Sequence, residues 1–182
     1  MPQLPDIVFI DQVIIFGNRR AFDSLVKRYQ GGVRRFLTSL AAGDEMLADD
    51  LAQETFIKAY TSLATYKKQA NFGSWLYRIA YNVFYDYIRS RKETCLIDDT
   101  DGAVDELYQT PPTESYVTSD INEALRLLRP AERTCITLHL MEDQSIERIT
   151  EITGMPEGTV KSHIARGKEK LATYLRRNGY DR

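Results

Sequence analysis

Residue types that carry metal and nucleophile chemistry are scarce in this sequence. It has two cysteines and two histidines in 182 residues. Cys95 and Cys135 have no second Cys or His nearby at ligand spacing. That argues against a disulfide framework and a zinc module, and fits reduced thiols in a cytoplasmic protein. His139 and His163 lack paired nucleophiles, and no glycine-rich phosphate loop occurs. No catalytic residue, metal or cofactor is therefore expected. No apolar run approaches the ~20 residues of a membrane span. The N-terminal stretch IVFIDQVIIF is apolar, but Asp6 and Asp11 interrupt it. The absence of Lys or Arg before Arg19 argues against a secretory signal. Length and an ordinary apolar content of 43% allow one domain or two small ones, each with a packed core.

Positive charge is also missing from one long segment. From Glu93 to Glu123 there are nine acids and no Lys or Arg. Outside it, 17 of the 26 acids remain against all 24 bases, so the formal net charge of −2 hides a surplus of seven positive charges. Two basic blocks thus flank an acidic strap. This fits a polyanionic partner or two ordinary solvated surfaces. The strap also holds Gly102, Pro111 and Pro112 and lacks sustained periodicity, so it reads as a flexible linker over 96–118.

Both flanking blocks read as helical, giving an all-α protein of two small domains. In the first (1–95), Asn18 can cap a helix with Phe22, Leu25, Val26 and Tyr29 inward. Gly31 and Gly32 bend or weaken it, at about 1 kcal/mol each relative to Ala, and Gly43 ends it. Asp44 can cap the next, with Ala48, Leu51, Thr55, Phe56, Ala59 and Tyr60 on one face. Asp50, Gln53, Glu54, Ile57 and Lys58 lie on the other. The stretch WLYRIAYNVFYDYIRSRK then places six aromatics among four basic residues. At ~100° per residue its apolar side chains cover a wide arc, as in a helix buried in a bundle. A narrow stripe remains: Trp75, Arg78, Asn82, Tyr85, Asp86 and Arg89. It can meet DNA, or Asp86 can pair with Arg89 or Asn82 as plain structure.

The second block (119–182) opens a helix at Pro130. It then runs SIERITEITGMPEGTVKSHIARGKEKL, from Ser145 to Leu171. Ser145 can cap a short helix, Gly154 suits a left-handed C-cap, and Pro156 restarts a long helix with Val160, Ile164, Leu171 and Leu175 inward. This is helix-turn-helix form. Thr159, Lys161, Ser162, His163, Arg166 and Lys168 fall on or near the exposed face that would enter a major groove. Lys170, Arg176 and Arg177 can extend the contact along the phosphates. The bland alternative is a helical hairpin with a solvated basic face.

Three stretches together resemble the extracytoplasmic-function (ECF) sigma factors of the sigma-70 family. They are DDLAQETFIKAY, FGSWLYRIAYNVFYDYIRSRK and LRPAERTCITLHLMEDQSIERITEITGMPEGTVKSHIARGKEKL. The resemblance covers about residues 10–95 and 119–176. It implies a region 2 bundle that binds core RNA polymerase and reads and melts the −10 element, and a region 4 helix-turn-helix that reads the −35 element. Polymerase contacts would come from Asp50, Gln53, Glu54 and Ile57. The −10 contacts would come from Lys58, Ser62, Tyr66, Trp75, Arg78, Asn82 and Arg89. Tyr66 would stack on an extruded base, or it closes the core as a loop aromatic. The strap would thread the polymerase channel or act as a passive tether. An anti-sigma factor is an implied partner, able to clamp the two domains together and hold the chain at a membrane. Departures from the family pattern are His163, where Arg is common, Gly167, expected to soften the recognition helix, and the Gly31-Gly32 pair. The rival reading is a helix-turn-helix regulator acting on duplex operators without polymerase.

Overall fold

The computed structural model describes residues 4–68, 71–94 and 120–179. Most of the acidic strap, including the linker expected at 96–118, lies outside the described residues. Regular structure within them is helical. It comprises α1 (Asp6–Phe16), α2 (Arg19–Leu40), α3 (Glu45–Ser62) with a 3-10 turn (Leu63–Thr65), and α4 (Phe72–Thr94). After the strap come α5 (Asp120–Arg126), α6 (Pro130–Ile136) continuing into a π-helical turn (Thr137–Met141), α7 (Ile146–Thr153) and α8 (Glu157–Arg177).

The helix ends follow local chemistry. Asp44 accepts a hydrogen bond from the Leu47 amide at 3.0 Å and so caps α3. Ser145 does the same for α7 through the Arg148 amide at 3.2 Å. Gly154, at φ 74°, closes α7 in the left-handed conformation. Asn18 sits at the start of α2 but does not cap it; its side-chain amide donates to Gln12 Oε1. Helix α1 was not foreseen, because Asp6 and Asp11 obscure its apolar pattern. Both are used: Arg28 and Tyr29 of α2 donate to Asp6, and Lys68 pairs with Asp11.

Helices α1–α4 pack around Leu25, Val33, Phe36, Leu37, Leu51, Leu76, Val83 and Phe84, all essentially inaccessible. Each such Leu, Val or Phe stabilises the fold by about 1.5–3 kcal/mol relative to an exposed position. Helices α5–α8 pack around Leu125, Leu128, Ile136, Leu138, Ile149, Ile152, Val160 and Ile164. The two groups are not separated: their buried side chains form one continuous cluster. Helix α2 meets α6 and the π-helical turn, and α4 meets α7.

Two glycine expectations are corrected by this packing. Helix α2 runs through Gly31-Gly32 without interruption. A Cβ on Gly32 would sit 2.8 Å from Glu142 Oε2 and against the Tyr77 hydroxyl, so the residue marks a close approach rather than a bend. Gly167 is buried in α8, where a Cβ would meet Ile136 Cγ1 at 2.5 Å. It lets α8 lie against α6. Leu175, expected inward, is 40% exposed.

A helix-softening glycine would give a more stable protein on Gly167→Ala, by about 1 kcal/mol. Close packing predicts the opposite. Gly167→Ala should lower the unfolding free energy by about 1–3 kcal/mol through overpacking against Ile136, read from urea denaturation.

Candidate nucleic-acid interface

Helix α8 is held at fixed height by Val160, Ile164 and Gly167, which face α6 and α7. That leaves Thr159, Lys161, Arg166 and Lys168 exposed. Ser162 and His163 are half-buried, and His163 Nδ1 is fully shielded without a hydrogen-bond partner. The imidazole is thus positioned partly by packing rather than standing free on the groove-facing side. Lys161 pairs with Glu157 at 2.6 Å, one turn back. That hydrogen bond holds the Glu157 carboxyl below the usual carboxylate range. Lys170 departs from the expected phosphate row. Its ammonium donates to Glu132 Oε2 at 2.6 Å, and Glu132 is buried. Burial alone would raise the Glu132 carboxyl; hydrogen bonds from Lys170 and the Arg129 amide together bring it below its ordinary value.

The second cluster forms where α3, the 3-10 turn and α4 converge. Tyr66 is half-buried, its ring 5.6 Å from Phe72 and 5.4 Å from Trp75 between centroids. Tyr29 joins through Phe72 at 5.4 Å. Burial raises the Tyr66 hydroxyl pKa, and the Asp6 carboxylate of α1 adds to the rise. Tyr66 thus packs on the core edge as a loop aromatic and is half-buried there. Along α4, Arg78, Asn82 and Arg89 are exposed on one stripe. Asp86 lies 3.6 Å from Arg89 and 4.0 Å from Lys58, linking two expected contact residues across the α3–α4 seam. Ser62 donates to the Lys58 carbonyl within its own helix. Tyr85 does not belong to this stripe. It is half-buried against α6 and packs on Tyr81 at 4.4 Å. Arg78 is also drawn toward the other group, donating to the Glu151 carbonyl of α7 at 3.4 Å.

The third surface is the outer face of α3. Asp50, Gln53, Glu54 and Ile57 are all exposed, Ile57 at 63%. Met46, 82% exposed one turn earlier, extends this face and was not singled out from the sequence. Glu54 is shared with Lys58 in an ion pair of 2.8 Å. Arg34 of α2 braces the start of α3 through Glu45 and Asp49. Acids around an exposed apolar side chain suit a protein partner rather than DNA. Among the described residues no group of three or more His, Cys, Asp or Glu could hold a metal. No described helix is long and apolar enough to cross a membrane.

Two family models match the chain: Sigma-70 region 2 over residues 25–94, and Sigma-70 region 4 over residues 119–171. The ECF RNA polymerase sigma-E factor of Haemophilus influenzae is 34% identical over 181 residues, covering 93% of this chain and 94% of that one. The ECF RNA polymerase sigma factor SigW of Bacillus subtilis is 31% identical over 174 residues, covering 88% and 91%.

This chain is an ECF sigma factor of the sigma-70 family. As such it acts in transcription initiation, and sigma factors are regulatory initiation factors rather than catalysts. Among solved structures, this sigma factor resembles RpoE of Bartonella quintana in complex with the anti-sigma factor NepR. The TM-score is 0.69 at 26% identity, with 88% of this chain and 98% of that one covered. It equally resembles CnrH in complex with the cytosolic domain of CnrY, at a TM-score of 0.69 and 25% identity, covering 96% and 99%.

Two neighbouring lysines on α8 should separate in their effects. Lys170→Ala leaves a buried carboxylate without its counter-charge and with only the Arg129 amide as donor, so it should cost about 1–3 kcal/mol of stability at pH 7; Lys168→Ala should leave stability unchanged. Glu132 has a folded pKa below its unfolded one, so its contribution is present above the unfolded value and lost as pH falls through the folded value. The gap between wild type and Lys170→Ala should therefore narrow in acid, as followed by urea titrations at several pH values.

Proposed function

We propose that the three surfaces divide the work of promoter recognition. The exposed face of α3, with Asp50, Gln53, Glu54 and Ile57, docks on core RNA polymerase. The exposed residues of α8 (Thr159, Lys161, Arg166 and Lys168), flanked by Ser162 and His163, read the −35 duplex. Lys58, Ser62, Tyr66, Trp75, Arg78, Asn82 and Arg89 take the −10 strand. There arginines meet phosphates, Asn82 meets a base edge and Tyr66 stacks on an extruded base. Residues 1–95 and 119–182 are then the two functional units, with 96–118 between them. Unstacking costs a few kcal/mol, which captured single-strand contacts offset, so no nucleotide hydrolysis and no catalytic residue are involved. The chain works in the cytoplasm. The RpoE and CnrH structures, each with an anti-sigma partner, support an anti-sigma factor for this chain as well, able to keep it at a membrane.

The observation that carries this reading is the simultaneous exposure of an acidic-apolar face on α3 and a basic face on α8, on units matched to regions 2 and 4. Run-off transcription with core polymerase tests it. Asp50→Arg combined with Gln53→Ala should weaken co-purification with the polymerase about tenfold or more. Tyr66→Ala should reduce promoter opening, read by permanganate footprinting, several-fold more than −35 occupancy. Tight operator binding without polymerase, and no stimulation of run-off product, would support a duplex-only regulator instead.

A further inference from the structure

The apolar N-terminal stretch has no part in the three surfaces. Helix α1 buries Ile10 and Val13 as it packs on α2. Its two acids are already engaged: Asp6 accepts from Arg28 and Tyr29, and Asp11 from Lys68. What α1 leaves in solvent is apolar. Ile7 and Ile14 are exposed, and Ile15 and Phe16 at its C-terminal end are 67% and 78% exposed. Single exposed apolar side chains are ordinary on a protein surface. Here three consecutive large ones, Ile14, Ile15 and Phe16, protrude together and are followed within four residues by two exposed arginines.

The tip is a fixed corner. Gly17, at φ 63°, closes α1 in the left-handed conformation. Its amide donates to the Val13 carbonyl at 3.0 Å, and the Asn18 amide donates to the Gln12 carbonyl at 3.2 Å. The Asn18 side chain turns back to Gln12 Oε1 at 3.1 Å and leaves the start of α2 without a side-chain cap. Arg19 and Arg20 open α2 there. Both are exposed, and neither side chain has an ion pair among the described residues. Cations in the first turn of a helix oppose its dipole, and no acid in that turn offsets them. Asp23, exposed one turn on, is the nearest acid along α2. The fold itself thus gives these two arginines no partner.

We propose that this tip, Ile14 to Phe16 with Arg19 and Arg20, docks the chain directly on an anionic lipid bilayer. Ile15 and Phe16 enter the boundary between headgroups and acyl chains, while the two arginines stay at headgroup level on lipid phosphates. The charge pattern favours this occupant over a second copy of the chain, because pairing two tips would bring four arginines together. A bilayer also accepts a protruding apolar corner without needing a hollow shaped to it. Binding through so small an apolar area is weak and reversible, and depends on the anionic lipid. The site uses none of the residues placed on the polymerase or promoter surfaces. In the reading above the chain reaches a membrane only through an anti-sigma factor; here it touches lipid itself. Its value for meeting a membrane-held partner, by raising their effective concentration, rests on that reading; the lipid contact does not.

The test is sedimentation of the full chain with vesicles of phosphatidylcholine, alone or mixed equally with phosphatidylglycerol. Wild type should bind the mixed vesicles, release as salt is added, and bind pure phosphatidylcholine far less. Ile15→Gln with Phe16→Gln should lower the partition coefficient about tenfold or more. Arg19→Gln and Arg20→Gln should each lower it about fivefold on mixed vesicles only. All four positions are exposed, so helicity and urea unfolding should not change. Lys161→Ala with Arg166→Ala should keep vesicle binding, which separates the tip from general attraction to the basic face of α8. Absence of wild type from the mixed-vesicle pellet would overturn the proposal, as would equal binding by the Ile15 and Phe16 variant. Binding lost with Lys161 and Arg166 but not with the tip would do the same. Self-association that the tip variants abolish would assign the tip to a second copy instead. In lipid-free run-off transcription with core polymerase the tip variants should match wild type; a loss there would place the tip on polymerase or promoter and overturn the lipid site. Vesicle binding by a wild type that fails to stimulate run-off would keep the lipid site and count against the promoter reading.

Discussion

A guanidinium with 1% of its residue exposed has to be satisfied by the protein alone, and Arg133 imposes that requirement on half the structure. Desolvating a charge costs several kcal/mol. The carbonyls of Leu125 at 2.8 Å, Leu128 at 3.1 Å and Arg126 at 3.4 Å accept hydrogen bonds from it at and just beyond the C-terminal end of α5. The Leu40 carbonyl, at the end of α2, accepts another at 3.1 Å. Helix C-termini carry partial negative charge, so one cation serves two of them. Arg126 repeats the device, donating to the Ala42 carbonyl at 2.9 Å. The position of α5 and α6 against α2 follows from these bonds, and the position of the turn at Glu142 follows from α6.

This constraint explains how the molecule can hold together and still leave its working surfaces open. The junction uses the C-terminal end of α2, the middle of α2 around Gly32, and the inner tyrosines of α4. Those are not the faces proposed to meet polymerase or the −35 duplex: the outer side of α3 and the exposed side of α8 remain in solvent. Only the α4 stripe is shared, with Arg78 leaning toward α7 while Asn82 and Arg89 stay exposed. The packing of the two helical groups therefore leaves both proposed recognition surfaces accessible.

Much of this was legible in the sequence because it rests on short-range chemistry. Asp44, Ser145 and Gly154 each act within three or four residues, and the period of Phe36, Leu37 and Leu40 reports one helix face. The helix-turn-helix and the outer face of α3 were read from the same signals. What failed was everything decided by a distant partner. Asp6 and Asp11 looked like interruptions of an apolar run because Arg28, Tyr29 and Lys68 lie far along the chain. Lys170 looked like a phosphate contact until the buried Glu132 claimed it. Tyr85 was placed on the DNA stripe because helical projection knows nothing of α6. Gly32 and Gly167 carried the missing information in plain view. A glycine inside a strong helical period costs about 1 kcal/mol, and here each marks a place where another element comes too close for a methyl group.

Cys135 has a consequence of a different kind. It is wholly buried, and burial pushes its thiol up to about 12. It lies near Tyr81 and Tyr85 of α4, on the side of α6 that faces the N-terminal helices. Alkylating reagents attack the thiolate, which is scarce in such a setting at neutral pH. Its labelling rate, resolved from that of Cys95, therefore reports how often water reaches the buried side of α6. The chain thus carries its own clock for opening of its core, with no added fluorophore.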